Sequence, residues 1–131
     1  MLPNRLILRC SMVSAVALSA ALTVLPAHAA KRSFDGAWSV LVFADEGSCQ
    51  RDSYRYGVQI QDGQVSSEGS GAAEIVGRVT PGGQVTVRVR QGNQEAVGNG
   101  RLTQVSGSGR WSGASPQQQC GGRWTAERRG Y

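Results

Sequence analysis

The stretch 54-YRYGVQIQDGQV-65 decides the fold class, because it contains two strand-like segments joined by a tight turn. From Tyr54 to Ile60 apolar residues alternate with polar ones, which is the pattern of a strand with one buried face. Asp62-Gly63 favours a two-residue hairpin turn and places Ile60 opposite Val65. Apolar residues then share one face of both strands, so this stretch predicts an antiparallel β-hairpin.

Two more hairpins are predicted by the same agreement between turn length and side-chain pattern. Pro81-Gly82-Gly83 closes one of them and Gly92-Asn93 closes the other. The predicted cross-strand pairs are Val79 with Val85, Ile75 with Val89, Val89 with Ala96 and Val87 with Gly98. In each hairpin this register keeps apolar residues on one face of both strands.

Short strands of this kind continue along the chain, and a glycine every few residues argues against helices. The predicted segments are 36–43, 54–61, 64–68, 73–80, 84–91, 94–103, 107–113 and 120–128. The predicted fold class is therefore all-β, an antiparallel meander of about eight short strands. We expect a closed up-and-down barrel with one disulfide, and the alternative is a β-sandwich.

The first 30 residues differ from the rest of the chain, which contains all 18 glycines and all nine acidic residues. Residues 1–29 have the layout of a signal peptide, with two arginines, an uncharged run over 11–25 and the small-residue site Ala27-His28-Ala29. The alternative is an uncleaved membrane anchor, because 10–30 contains no Asp, Glu, Lys or Arg. We expect cleavage, export to the periplasm or the medium, and a single domain over 30–131 that stays off the membrane.

Cys49 and Cys120 are the two cysteines of this domain, because Cys10 leaves with the signal peptide. In an exported chain the simplest expectation is one disulfide between them. Cys49 follows the first strand segment and Cys120 begins the last, and these two strands are neighbours in a closed barrel. The disulfide is therefore expected to tie the closing seam of the barrel.

His28 is the only histidine and also lies in the signal peptide, which excludes Ser-His-Asp and Cys-His catalysis and a His-ligated metal. Asp45, Glu46 and Asp52 surround Cys49, and paired carboxylates are the groups that glycosidases use. These acids also suit calcium, but their spacing matches no EF-hand. We expect no enzyme, with a carboxylate-based hydrolase as the exception, and no cofactor or metal.

Three tryptophans are candidates for the barrel interior and for binding a small ligand. Trp38 shares a face with the apolar residues of its segment, and Trp124 lies in the middle of the last segment. Trp111 lies opposite Gly100 if Val105-Ser106 is the turn, and a tryptophan that covers a cross-strand glycine stabilises that position. The rings either fill the core, since eight strands leave little room, or line a cavity for an apolar ligand.

Arginines form the other candidate site, since the strand pattern places Arg88, Arg101, Arg110 and Arg123 on outward faces. The proposed register sets Arg101 opposite Arg110, and like charges directly opposite each other are unfavourable. An anion between them would relieve the repulsion, because guanidinium groups bind carboxylate and phosphate bidentately. The alternative is a solvated charged face, because small exported proteins need charge for solubility.

Gly36-Ala37-Trp38 begins the first segment and resembles the G-x-W opening of the lipocalin and avidin-like barrels, the calycins. The resemblance implies a barrel in which an arginine from the barrel end packs over the tryptophan. Arg128 or Arg123 matches that arginine by position. Small bacterial protease-inhibitor barrels also begin with G-x-W after a short N-terminal trunk, comparable to 31–35 here, but their disulfide closes a short loop.

Several stretches spread over most of the exported part of the chain carry a second resemblance. They are Phe34-Asp35-Gly36 with Trp38-Ser39-Val40, Gly47-Ser48-Cys49, Tyr54-Arg55-Tyr56, Gly107-Ser108-Gly109-Arg110-Trp111, Gly122-Arg123-Trp124 and Ala126-Glu127-Arg128-Arg129. Together they are similar to a group of small, Gly-rich exported proteins from Gram-negative bacteria. This resemblance implies export and carries no activity with it.

These observations predict an exported, non-enzymatic binding module. Its partner would be an apolar small ligand in the barrel, at Trp38, Trp111 and Trp124, or an anionic envelope polysaccharide on the four arginines. The alternative is a periplasmic or secreted inhibitor of a protease or lysozyme, which would block a partner enzyme. No nucleic-acid partner is expected, because the basic residues have no aromatic side chains beside them on which nucleobases could stack.

Overall fold

The computed structural model of the chain describes residues 19–23, 33–69, 71 and 73–130. Its strands are β1 (Gly36–Gly47), β2 (Asp52–Gln61), β3 (Gln64–Ser67), β4 (Glu74–Val79), β5 (Gln84–Gln91), β6 (Gln94–Leu102), β7 (Ser106–Ala114) and β8 (Gln119–Gly130). Each strand pairs antiparallel with the next, and β8 pairs with β1, so the sheet closes into an eight-stranded barrel. The prediction of a closed up-and-down barrel is confirmed, and the sandwich is excluded.

The predicted signal peptide, 1–29, lies outside the described residues except for 19–23. No helix long and apolar enough to cross a membrane occurs in the part of the chain that the structure describes.

The cross-strand pairs predicted for the first hairpins are confirmed. Ile60 pairs with Val65 across the Asp62-Gly63 turn, where Asp62 has a φ of 51° and Gly63 a φ of 75°. Both residues thus adopt the left-handed conformation that the tight turn requires, which Asp and Gly tolerate best. The other confirmed pairs are Val79 with Val85, Ile75 with Val89, Val89 with Ala96 and Val87 with Gly98. Local turn chemistry was sufficient to set these registers.

The predicted register of the β6–β7 hairpin is wrong. Trp111 pairs with Gly98 rather than with Gly100. The turn is centred one residue earlier than expected, because the amide of Thr103 donates to the carbonyl of Ser106 at 2.7 Å. The Thr103 hydroxyl also accepts from the Ser106 amide at 3.1 Å, which stabilises the turn in this position. The partner of Trp111 changes by two residues, so its side chain remains on the inward face.

One end of the barrel is closed by residues 33–35 of the N-terminal trunk. Phe34 is buried, and its carbonyl accepts a hydrogen bond from the Trp38 indole at 2.8 Å. Of the two arginines that match by position, Arg128 and Arg123, it is Arg128 whose guanidinium lies over Trp38, 5.5 Å from the centre of the ring. It also donates to the carbonyls of Asp35 and Gln104, so it joins the trunk to a turn at the same end. Buried core residues lie beside the turns at this end, among them Ile60, Val79 and Leu102.

The disulfide lies at the opposite end of the barrel. Cys49 and Cys120 are bonded, with 5.4 Å between their Cα atoms. Gly47 of β1 pairs with Cys120 of β8, and the Ser48 amide donates to the Gln119 carbonyl at 2.9 Å. The disulfide thus ties the closing seam between the first and last strands, as predicted.

Candidate functional site

The tryptophans lie inside the barrel, where glycines make room for them. Trp38 is only 1% exposed and Trp124 only 6%. A Cβ atom added at Gly100 would lie 2.5 Å from Cζ2 of Trp124, and one at Gly109 would lie 2.7 Å from Cε2 of the same ring. The ring therefore occupies the space that side chains at these two positions would need.

Trp111 is only partly buried and spans the seam from the inside. Its indole donates a hydrogen bond to the Phe43 carbonyl at 2.9 Å, two strands away. The β8 residue opposite Trp111 is Gly122, where a Cβ atom would collide with that carbonyl oxygen. Tyr56 is also partly buried against the core, and burial raises the pKa of its phenol, with a smaller contribution from Tyr54. The Nε1 atom of Trp124 is buried without a hydrogen-bond partner among the described residues.

Replacing Gly109 with Ala is expected to destabilise the protein by about 1–3 kcal/mol, because overpacking a filled interior forces side chains and backbone to shift. The new Cβ would collide with the Asn99 carbonyl oxygen as well as with the Trp124 ring. Urea denaturation followed by tryptophan fluorescence measures the change. Gly130→Ala is the matched control, since a Cβ there meets nothing within 4 Å. Equal stability of the two variants would contradict this packing.

The four predicted arginines project outward from consecutive strands, and we call the surface that carries them the arginine face. Its members are Arg88 on β5, Arg101 on β6, Arg110 on β7 and Arg123 on β8. The predicted pairing of Arg101 with Arg110 is wrong, because the shifted β6–β7 turn places Ser108 opposite Arg101. A like-charge pair exists one strand further on, where Arg110 lies directly opposite Arg123.

Both members of this pair contact the end of β1. Arg110 forms an ion pair with Glu46, and Nε of Arg123 lies 3.5 Å from Oδ2 of Asp45. The guanidinium of Arg123 also stacks 4.3 Å from the centre of the Phe43 ring, the residue directly opposite it on β1. The side chains remain mostly exposed, at 68% for Arg110 and 60% for Arg123. Sequence reasoning missed these partners, since only the barrel seam brings them close.

Arg88 and Arg101 form no ion pair among the described residues. Their cross-strand neighbours are uncharged: Val76 and Val97 beside Arg88, and Gln84 and Ser108 beside Arg101. Arg90 differs, because it is paired with Glu95 at 2.7 Å. The arginine face therefore combines two unpaired guanidinium groups with a like-charge pair.

The three acids near Cys49 serve separate local contacts. Asp45 and Glu46 contact the arginine pair, and Asp52 accepts a hydrogen bond from the Ser53 amide at 2.8 Å. Within the described ranges, no group of three His, Cys, Asp or Glu side chains is placed to hold a metal ion. The arrangement observed for Asp45 and Glu46 favours a role as arginine partners.

An open depression of about 510 Å³ lies at the rim of the barrel, between the β5–β6 turn and the β7–β8 loop. Its lining residues are Arg90, Gly92, Asn93, Glu95, Ala114, Ser115 and Pro116. The two charged residues are paired with each other, so this depression presents no net charge to a ligand. The arginine face is the stronger candidate site because part of its charge is uncompensated.

Guanidinium groups donate hydrogen bonds in a planar fork that matches carboxylate and phosphate oxygens. Four of them project from adjacent strands, so this surface can donate hydrogen bonds to several anionic groups at once. Comparison of the chain with protein-family models, with curated proteins and with solved structures found no match.

Proposed function

We propose that the protein is an exported, non-enzymatic binding module whose arginine face binds an anionic polymer of the cell envelope. The observation that carries the proposal is the direct opposition of Arg110 and Arg123 beside the unpaired Arg101 and Arg88. Like charges directly opposite each other are unfavourable, and Asp45 and Glu46 offset only two of the four positive charges. An anionic partner would compensate the remaining charge. The compartment follows from the signal peptide expected at 1–29, and the disulfide is compatible with it.

A polymer fits the arginine face better than a small ion does. The four arginines lie on four consecutive strands, which at about 4.8 Å per strand extend over roughly 14 Å. A single carboxylate or phosphate group contacts one or two guanidinium groups, whereas a chain of anionic units reaches all four. The shared ligand chemistry is a carboxylate- or phosphate-bearing polysaccharide.

The interior site for an apolar ligand ranks second. Its support is the buried Nε1 of Trp124, which has no hydrogen-bond partner among the described residues. Against it, the Trp124 ring already packs on Gly100 and Gly109. The inhibitor alternative is weakened by the trunk, because Phe34 is buried in the barrel end and the Asp35 carbonyl accepts a hydrogen bond from Arg128.

Replacing Arg88 and Arg101 together with Ala is expected to weaken binding of polygalacturonate roughly tenfold, since each exposed charged contact contributes up to about 1 kcal/mol. Isothermal titration calorimetry at low salt measures the affinity, and added salt is expected to weaken it further. The matched control is Arg51→Ala with Arg55→Ala, which removes the same charge elsewhere on the barrel.

The ligand panel separates the sources of negative charge. Polygalacturonate supplies carboxylates, polyphosphate supplies phosphates, and dextran is the neutral polymer. Binding of polyphosphate alone identifies a phosphate-bearing envelope component. An equal loss of affinity in the two double variants would show that net charge, and not the arginine face, causes binding, and the proposal would then be wrong.

A further inference from the structure

Asp45 and Glu46 are consecutive residues whose carboxylates both reach arginines of the outer surface. Consecutive side chains of a regular strand point to opposite faces. Here the register of β1 against β8 shifts between Ala44 and Glu46, as in a β-bulge. A bulge sets two residues opposite one and re-aims their side chains, which accounts for two acids on one face.

The path of Glu46 is cleared by a glycine. Glu46 pairs with Gly121 of β8, and its carboxylate continues to Arg110 on β7, one strand further. A Cβ at Gly121 would lie 3.5 Å from Oε2 of Glu46, so the carboxylate passes directly over this position. Asp45 takes the shorter path to Arg123 on β8 itself.

The backbone that carries the two acids is anchored to β8. Gly47 pairs with Cys120, Ser48 donates to the Gln119 carbonyl, and the Cys49–Cys120 disulfide lies immediately beyond. Because this backbone is anchored to β8, the two acids stay within reach of Arg110 and Arg123. Their side chains, 39% exposed for Asp45 and 57% for Glu46, remain accessible to solvent and can turn away.

We infer that Asp45 and Glu46 form an acid clasp, an internal substitute for the ligand that occupies Arg110 and Arg123 until an anionic polymer displaces both carboxylates. The inference rests on the function proposed above and adds its regulation and selectivity. A polymer first meets the unpaired Arg88 and Arg101. It gains the other two arginines only by replacing two carboxylates, which requires anionic groups on neighbouring units. Ligands with an isolated anionic group are thereby selected against.

The experiment compares the wild type with the clasp-free double variant Asp45→Asn with Glu46→Gln, using polygalacturonate at low salt. An exposed ion pair changes an equilibrium by roughly two- to fivefold, so opening two of them is expected to raise affinity about tenfold. The control is Glu74→Gln with Glu127→Gln, which removes the same charge from acids that form no ion pair with the four arginines. It is expected to raise affinity clearly less.

Arg110→Ala provides the second arm. In the wild type this substitution is expected to change affinity by less than about twofold, because the polymer gains Arg110 only by breaking its ion pair with Glu46. In the clasp-free background the same substitution is expected to reduce affinity several-fold. Such non-additivity is the signature of residues that interact.

Equal gains in the clasp-free variant and the charge control, or equal losses from Arg110→Ala in both backgrounds, would overturn the clasp and leave polymer binding intact. Absence of binding in the wild type together with binding by the clasp-free variant alone would support an even tighter clasp. If neither form binds any polymer of the panel, the proposed function fails and the clasp falls with it.

Discussion

Replacing Trp38 with Ala is expected to lower the free energy of unfolding by about 3–5 kcal/mol, the usual loss for a buried tryptophan. Trp38 is the largest side chain among those that are almost completely buried, and it joins the trunk to the barrel through its hydrogen bond to Phe34. Its ring also supports the guanidinium of Arg128. One substitution therefore removes core packing, a hydrogen bond and the support of the closed end.

Urea denaturation measures this loss, and Trp38→Phe is the companion variant if Trp38→Ala does not fold. Phe keeps most of the packing but lacks the indole donor, so Trp38→Phe is expected to lower the free energy of unfolding less than Trp38→Ala does. A loss below about 1 kcal/mol for Trp38→Ala is what a surface position shows, and it would contradict the burial of this ring.

Removing the disulfide with Cys49→Ala and Cys120→Ala is expected to lower the free energy of unfolding by about 4 kcal/mol in the chain-entropy model. The bonded cysteines are 71 residues apart, so the cross-link restricts nearly the whole domain in the unfolded state. For a small domain this is a large share of the total stability.

The reduced wild-type protein is the control for the cysteine substitutions, and it is expected to unfold at nearly the same urea concentration as the double variant. If reduction lowers the urea concentration of unfolding far less than the substitutions do, the loss in the variant comes from side-chain packing at the two cysteine positions and not from the cross-link. A negligible shift in both would contradict the role assigned to the disulfide.

Most of the fold was predictable because its registers depend on neighbouring residues. The turns at Asp62-Gly63 and Gly92-Asn93 set their hairpins without help from distant parts of the chain. The β6–β7 hairpin was mispredicted because Thr103 and Ser106 hydrogen-bond across a turn that has no glycine or proline to mark it.

The candidate site was predictable in its members but not in its contacts. Alternation along each strand correctly placed Arg88, Arg101, Arg110 and Arg123 outside. The β6–β7 turn decided that Arg101 does not lie opposite Arg110, whereas the separate register of β7 against β8 set Arg110 opposite Arg123. The acids of the β1 end were recognised as a cluster, but their role as arginine partners was not.

The sequence by itself determined the eight strands, their inward and outward faces and the pairing of the two cysteines, since each of these follows from local pattern or from elimination. Only the tertiary structure decided what lies across the seam. Phe43, Asp45 and Glu46 meet Arg110 and Arg123 because closure brings the first strand beside the last, and a bulge then turns two consecutive carboxylates to the same side. Contacts between residues so distant in the chain depend on barrel closure and strand stagger, which are properties of the whole sheet.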